Sequence, residues 1–245
     1  MTVLAVCSVK HSPGATTLAL ALTSACSNTE ASDDVPVVLV EADPTGGDLG
    51  ARLGLSFDPG LVALAASARH AGSGLNVLAN AQPLPCGGVA VLGPVNPQQA
   101  EAALSTVGPR LCESLRELGG GVIDCGRWAV GSRAADVMRA ADLTLVVARP
   151  DVAGVEHLRE RLASLRAVVG QRLAIALLGE RPYGVDSIRD ATGVPLVVTF
   201  AVDRDGVEAI SGGSTARSAR RSRLVRSARS ILDSIASNDL EAALA

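Results

Sequence analysis

Residues 9–22 read VKHSPGATTLALAL, and the interpretation of the chain depends on this stretch. An apolar run rich in β-branched residues, TVLAVCSV at 2–9, leads into it. After a Ser-Pro-Gly turn, apolar residues recur at helical spacing. A strand, a glycine-containing turn and a helix in this order direct backbone N–H groups and the positive end of the helix dipole toward one point. The stretch therefore predicts an anion-binding loop at the start of a helix.

Position 15 is alanine, where a phosphate-binding loop normally carries a lysine. The missing charge removes a contact of about 1.5–3 kcal/mol to a phosphate. Gly14 allows the turn, and the hydroxyl of Thr16 is placed to ligate Mg²⁺. A tight strand–helix turn with no ligand is the alternative interpretation. Lys10, inside the loop, is the only lysine in the sequence.

Further along the chain, apolar runs typical of buried strands alternate with amphipathic helical patterns. This alternation predicts an α/β fold, a three-layer α-β-α sandwich with a mostly parallel sheet. The sequence predicts one domain over 1–245, with a final helix at about 215–237 and a short tail at 238–245. A long helix from Pro97 is expected to be interrupted at Gly108-Pro109. The strand candidates after the first are VPVVLVEAD (35–43), NVLANAQ and VAVLGPV (both within 71–96), GGVIDCG (120–126), DLTLVVARP (142–150), QRLAIALLG (171–179) and PLVVTFAVD (195–203).

Composition excludes several classes of protein. Of the 245 residues 48% are hydrophobic but only 2% aromatic, so the core must consist of Ala, Val, Leu and Ile. No apolar run reaches the roughly 20 residues that span a bilayer, and we interpret the N-terminal apolar stretch as a strand rather than a signal peptide. The five cysteines are an odd number without a CxxC pair, which predicts free thiols in the cytoplasm and no zinc site.

The loop resembles the deviant Walker A motif of the ParA/MinD family of SIMIBI-class P-loop ATPases, whose pattern is KGGxGK[ST]T. Lys10 matches the first lysine, Gly14 the glycine before the second lysine, and Thr16 and Thr17 the hydroxyl pair. The resemblance implies a P-loop NTPase-like fold, ATP or ADP with Mg²⁺ as cofactor, and a homodimer. In that dimer Lys10 would reach the phosphates of the partner protomer.

Three later segments resemble the family in the same order. LVEADPTGG resembles the switch segment DxDPxG. Glu41 stands in for its first aspartate, and Asp43 matches the second, which positions the attacking water. GGVIDCG resembles the Walker B strand, in which Asp124 would hold Mg²⁺ through water, and Asp203 occupies an aspartate position on the adenine side. The implied nucleotide-binding set is Lys10, His11, Ser12, Pro13, Gly14, Ala15, Thr16, Thr17 and Asp203, with Thr16 and Asp124 for the metal.

The departures from the family pattern bear on activity. The second lysine is Ala15, His11 and Ser12 replace two glycines, and LLGERPY lacks the asparagine that reads adenine. The resemblance therefore implies a positioning or scaffold protein with a degenerate site. It would be a pseudo-ATPase or a very weak ATPase that dimerises and recruits a partner protein, such as the pilus machinery that the TadZ/CpaE group localises. The alternatives are a slow dimer-dependent ATPase, with Asp43 and Lys10 as catalytic residues, and a DNA-binding partition component.

The last part of the sequence contains an arginine-rich segment. Residues 217–229 contain six arginines and no acidic residue, although the net charge of the protein is −3. Leu224, Val225, Ala228, Ile231, Leu232 and Ile235 can form an apolar helix face that leaves the arginines outside. The segment is either a solvated surface or a patch for a partner or for the DNA backbone. Direct membrane binding is not expected, because the tail is acidic. The patch consists of Arg217, Arg220, Arg221, Arg223, Arg226 and Arg229.

Overall fold

The computed structural model describes residues 2–10, 13–27, 35–69 and 74–237. Within them the chain forms one eight-stranded sheet in the order β3-β4-β2-β5-β1-β6-β7-β8, and only β3 runs antiparallel to its neighbour. The strands are Val3–Ser8 (β1), Val38–Glu41 (β2), Gln82–Pro83 (β3), Val89–Val91 (β4), Gly121–Arg127 (β5), Leu143–Ala148 (β6), Leu173–Leu178 (β7) and Val197–Phe200 (β8).

Helices cover both faces of the sheet and make the predicted three layers. Strands β1 and β6 are buried along their whole length, because each of their residues faces one of the two helical layers. The helices are Ala15–Cys26 (α1), Leu49–Leu53 (α2), Leu61–Ala68 (α3), Pro97–Glu117 (α4), Ala134–Ala140 (α5), Val152–Val169 (α6), Val185–Thr192 (α7), Arg204–Glu208 (α8), Ala216–Arg221 (α9) and Arg223–Ser237 (α10).

Two apolar cores lie on opposite faces of the sheet. One packs α3, α4, α5 and α6 against it through residues such as Leu64, Leu111 and Leu165. The other packs α1 and α10 through residues such as Leu20 and Ile231. The predicted α/β class with a mostly parallel sheet is therefore confirmed. That residues 1–245 form a single domain stays a prediction, and the tail at 238–245 lies outside the described residues.

Three local predictions were wrong. Helix α4 continues through Pro109 although proline removes a helix hydrogen bond. Its neighbour Gly108 has no Cβ to clash with the proline ring, and Leu111 anchors the turn in the core. NVLANAQ contains a 3₁₀ turn at Leu78–Asn80 before the short β3. The final helix is two helices, because Ser222 has an extended backbone between α9 and α10.

The carboxyl ends of three neighbouring strands, β2, β5 and β1, meet at one edge of the sheet. The loop into α1 follows β1, Asp43 follows β2, and Asp124 lies on β5. This is the place where ligands bind in open parallel sheets. Across the described ranges, no helix combines the length and apolarity needed to cross a membrane.

Candidate functional site

The N-terminus of α1, which follows the loop, has no side-chain cap among the described residues. Gly14, the residue before the helix, has φ 102°, a left-handed conformation that suits glycine. The first N–H groups of a helix have no partner inside the helix, so those of α1 remain available to an anion.

A cavity of about 400 Å³ lies in front of this helix start. Its wall contains the end of β1, residues 14–17, the loop after β2, α2 and the end of β5. Gly14, Ala15, Thr16 and Thr17 all line it, as does Asp43. Ala15 is only 5% exposed and belongs to the apolar core that packs α1 against the sheet. The structure thus brings together four of the eight predicted loop residues, those at 14–17, and the switch aspartate.

Asp124 is the most deeply buried carboxylate beside the cavity, with 1% exposure. Its Oδ1 accepts a hydrogen bond from the Gly126 N–H at 3.0 Å, and its Oδ2 is buried without a partner among the described residues. Burial raises the pKa of Asp124 to about 6, and the nearby Thr16 hydroxyl and Gly126 amide oppose that rise. A buried carboxylate and a nearby threonine hydroxyl supply oxygen ligands of the kind that Mg²⁺ takes.

The described residues contain no cluster of three or more His, Cys, Asp or Glu side chains able to hold a metal by themselves. Mg²⁺ usually shares its coordination among one or two protein oxygens, waters and substrate phosphates. Thr16 and Asp124 therefore fit the metal role that the sequence predicted for them. That role stays a prediction.

Glu41 and Asp43 have different surroundings. Glu41 is 2% exposed and accepts three backbone hydrogen bonds, from Asp48 at 2.7 Å, Leu49 at 2.8 Å and Gly93 at 2.9 Å. Burial raises the pKa of Glu41 to about 7 despite these donors. Asp43 lines the cavity, and its Oδ1 accepts hydrogen bonds from the N–H and the hydroxyl of Thr45, each at 2.7 Å. Glu41 thus holds the loop in which Asp43 presents its carboxylate.

A cavity residue that the sequence analysis missed is Arg52, on α2. Its Nε donates to Ser211 Oγ at 3.0 Å, and its Nη1 donates to Thr17 Oγ1 at 3.1 Å. Nothing in the sequence around position 52 marks it, because only the packing of α2 against the loop brings its side chain to Thr17.

Lys10 does not line the cavity at α1. It is half-buried beside a neighbouring cavity of about 300 Å³, which Pro13, Arg149, Asp151 and His157 also line. Within one protomer Lys10 therefore does not replace the missing lysine. His11 and Ser12 lie outside the described residues.

Asp203 joins two helices. Its Oδ1 accepts a hydrogen bond from Gly206 N–H at 3.0 Å, which caps α8, and its Oδ2 accepts one from Leu224 N–H at 3.0 Å, at the start of α10. A cavity of about 580 Å³ lies nearby at the carboxyl ends of β7 and β8. Asp203 is not among the residues that line this cavity. Its contact with a nucleotide stays a prediction.

The arginine-rich segment is partly used inside the protein. Arg220 donates to Ser27 O at 3.2 Å and Arg229 to Ala25 O at 2.7 Å, both at the end of α1. Arg221 and Arg226 lie on the exposed surface. The predicted apolar face is confirmed, since Leu232 is half-buried and the other five side chains are buried.

No model of a known protein family matches the chain, and no curated protein sequence matches it. Solved structures do. A ParA family ATPase from Chlorobium tepidum superposes with a TM-score of 0.72 at 17% identity, over 94% of this chain and 98% of that one. MinD from Pyrococcus horikoshii, complexed with Mg-ADP, gives 0.70 at 18% identity, over 98% and 97%.

A third structure, the MinC:MinD cell division complex of Aquifex aeolicus, superposes with a TM-score of 0.66 at 14% identity, over 94% of this chain and 96% of that one. Identities this low establish the fold alone. Together with the order of the strands and the loop at α1, these likenesses show that the chain has the fold of the ParA/MinD ATPases.

Proposed function

We propose that the chain binds Mg-ATP or Mg-ADP at the loop before α1 and acts as a ParA/MinD-like positioning or scaffold protein with little or no ATP hydrolysis. The observation that carries this proposal is the Asp124 carboxylate, buried with an unpartnered Oδ2 beside Thr16 at an uncapped helix start. A bound anion would accept hydrogen bonds from the N–H groups at the start of α1, and a bound cation would interact with the Asp124 carboxylate. The Mg-ADP in the P. horikoshii MinD structure supports the same ligand class.

Thr16 and Asp124 would hold Mg²⁺, the former directly and the latter through water. When bound, the ion neutralises phosphate charge and screens the phosphates from the cavity carboxylates. The N–H groups at the start of α1 would bind phosphate oxygens, and Gly14 lets the backbone approach them closely. The chain therefore supplies binding without needing a side chain at position 15.

Hydrolysis is expected to be slow for two reasons. Ala15 offers no positive charge to the developing transition state, and preorganised charge there is usually the largest catalytic contribution. One oxygen of Asp43 already accepts two hydrogen bonds from Thr45, so only the other is open to a water. The bound state would then persist and act as a signal rather than as a step in turnover.

For the cellular role we propose a cytoplasmic homodimer that recruits a protein partner, such as pilus, secretion or partition machinery. The complex of MinD with MinC in a protein of the same fold supports partner binding. Of the arginines at 217–229, Arg220 and Arg229 each donate to a carbonyl oxygen at the end of α1, and Arg217, Arg221, Arg223 and Arg226 are exposed.

A second candidate, a slow ATPase that works only as a dimer, follows from the position of Lys10. Lys10 lines the neighbouring cavity, and in this candidate its ammonium group serves the phosphates of a partner protomer. In that candidate Asp43 orients the water, and two protomers exchange one lysine each.

Phosphate release and light scattering separate the candidates. We would measure wild type, Thr16→Val and Lys10→Ala with Mg-ATP over rising protein concentration, with Thr106→Val on α4 as the matched control. A nucleotide-dependent dimer without turnover, weakened by Thr16→Val alone, supports the scaffold. Turnover that rises with protein concentration and is lost in Lys10→Ala supports the slow ATPase. Retention on DNA that weakens with salt would favour a partition component. If nucleotide neither binds nor changes the molecular mass, the proposed function is wrong.

A further inference from the structure

The guanidinium of Arg52 reaches the phosphate cavity from α2, on the side of the loop residue Thr17. Its two hydrogen bonds go to hydroxyl groups, Thr17 Oγ1 and Ser211 Oγ, and no carboxylate lies within ion-pair distance of it among the described residues. Asp124 and Asp48 are near enough to stabilise the Arg52 charge but form no ion pair with it, so the guanidinium can still bind another anion.

Arg52 also has donors to spare. A guanidinium carries five N–H groups, and the two bonds above use one on Nε and one on Nη1. Nη2 is buried and has no hydrogen-bond partner among the described residues. A buried charged donor without a partner is costly to the fold, so such a group points to a ligand that completes it.

The cavity is surrounded by more acidic than basic side chains, so a bound polyphosphate would need a nearby cation. Asp43 and Asp48 line it and Asp124 lies beside it, while position 15 supplies nothing. These carboxylates would repel a polyphosphate in the cavity, and one Mg²⁺ would neutralise only part of the polyphosphate's charge. Of the described residues in the wall, the cationic ones are Arg52 and the exposed Arg127, at the end of β5.

We propose that Arg52 supplies, from α2, the positive charge that the loop lacks at position 15, and that its free donors bind a phosphate of the nucleotide. The planar fork of arginine suits two phosphate oxygens at once. This inference rests on the proposed function, since it needs phosphate in the cavity. Ser211 then acts as a positioning residue, because its hydroxyl fixes the Nε side of the fork.

The alternative is that Arg52 is purely structural and only links α2 to Thr17 and Ser211 through its hydrogen bonds. The two roles differ in whether a lysine at position 15 restores the ligand affinity that is lost with Arg52. If Arg52 is the missing cation, a lysine at position 15 should replace it. If Arg52 is a structural fastener, a lysine on α1 cannot restore what its loss removes.

Calorimetry with Mg-ATP and with magnesium tripolyphosphate tests the proposal. Arg52→Met keeps the apolar stem and should lose about 10- to 150-fold in affinity for both ligands, the value of one or two charge-assisted hydrogen bonds. The double variant Ala15→Lys/Arg52→Met should recover most of that loss. Arg139→Met, which removes an arginine paired with Asp136 on α5, should bind as wild type does.

The outcomes are distinct. No binding by wild type ends the proposed function and this inference with it. Equal binding by wild type and Arg52→Met, or a loss that Ala15→Lys does not recover, overturns the inference and leaves the proposed function standing. Should Arg52→Met fail to fold, the arginine NMR signals of wild type decide. Guanidinium signals of Arg52, assigned with Arg52→Lys, that shift and saturate with the ligand support the proposal, and unchanged signals overturn it.

Discussion

Replacing Glu41 by glutamine tests the contacts that hold the loop between β2 and α2. Oε1 of Glu41 accepts from the N–H groups of Asp48 and Leu49, and Oε2 accepts from that of Gly93. The amide oxygen of glutamine can keep the first pair, but its NH₂ would face the Gly93 N–H, donor against donor. An unsatisfied buried N–H costs roughly 1–3 kcal/mol. We therefore expect Glu41→Gln to lower the melting temperature by roughly 2–12 °C.

The size of this loss should depend on pH, because two effects compete at Glu41. Burial raises the pKa of the carboxyl to about 7 from 4.5, and the three N–H donors, which favour the charged form, do not cancel that rise. The stability that the carboxyl adds is therefore fully present below the unfolded pKa and is lost as the pH rises through the folded pKa. Glutamine does not titrate. The stability of wild type minus that of Glu41→Gln should fall by about 2–3 kcal/mol between pH 5 and pH 8, which can reverse its sign.

Urea unfolding followed by circular dichroism at four pH values from 5 to 8 measures this gap. Glu101→Gln, at an exposed site on α4, is the matched control and should show no trend. A gap that stays constant or widens toward pH 8 would refute the reasoning. It would mean that three backbone donors outweigh burial and hold the carboxyl ionised.

Three further predictions concern the cavity and its surroundings. Because Arg52 already supplies a cation, Ala15→Lys alone should tighten Mg-ATP binding by less than about 10-fold in calorimetry, and a gain of about 10- to 150-fold would show that the two side chains act independently. Gly126→Ala adds a Cβ where the carboxyl of Asp43 lies, at a φ of +59°. It should cost about 1–3 kcal/mol in urea unfolding, so an unchanged midpoint would contradict the described packing. Asp203→Ala removes the acceptor shared by α8 and α10. It should lower the melting temperature by roughly 2–8 °C, and no change would mean that these bonds add nothing to the fold.

The architecture was predictable because the strands of a parallel sheet are covered on both sides. Runs such as LTLVVA in β6 are apolar without alternation, and that pattern predicts a buried strand whatever its neighbours. Pro109 shows where local rules fail. Its helix persists because Val107 and Leu111 are buried in the core on either side of it, and a sequence does not show such contacts.

The positions of those site residues that are fixed by the order of the strands could be predicted from the sequence. Thr16 and Asp43 follow two strands and Asp124 lies on the strand between them, so a parallel sheet of this order brings them close together. Arg52 was not predictable. Its place depends on the angle at which a five-residue helix meets α1, and on the reach of a long side chain. Ser211 likewise becomes a partner only through the π-helical turn at Ala209–Gly213.

The central claim is that a loop with alanine at position 15 still holds a magnesium-bound nucleotide. A crystal structure of the wild-type protein grown with saturating Mg-ATP tests it most directly. We expect the phosphates over the start of α1, a magnesium ion between Thr16 and Asp124, and the guanidinium of Arg52 on a phosphate oxygen. A cavity that contains only solvent under those conditions would contradict the claim.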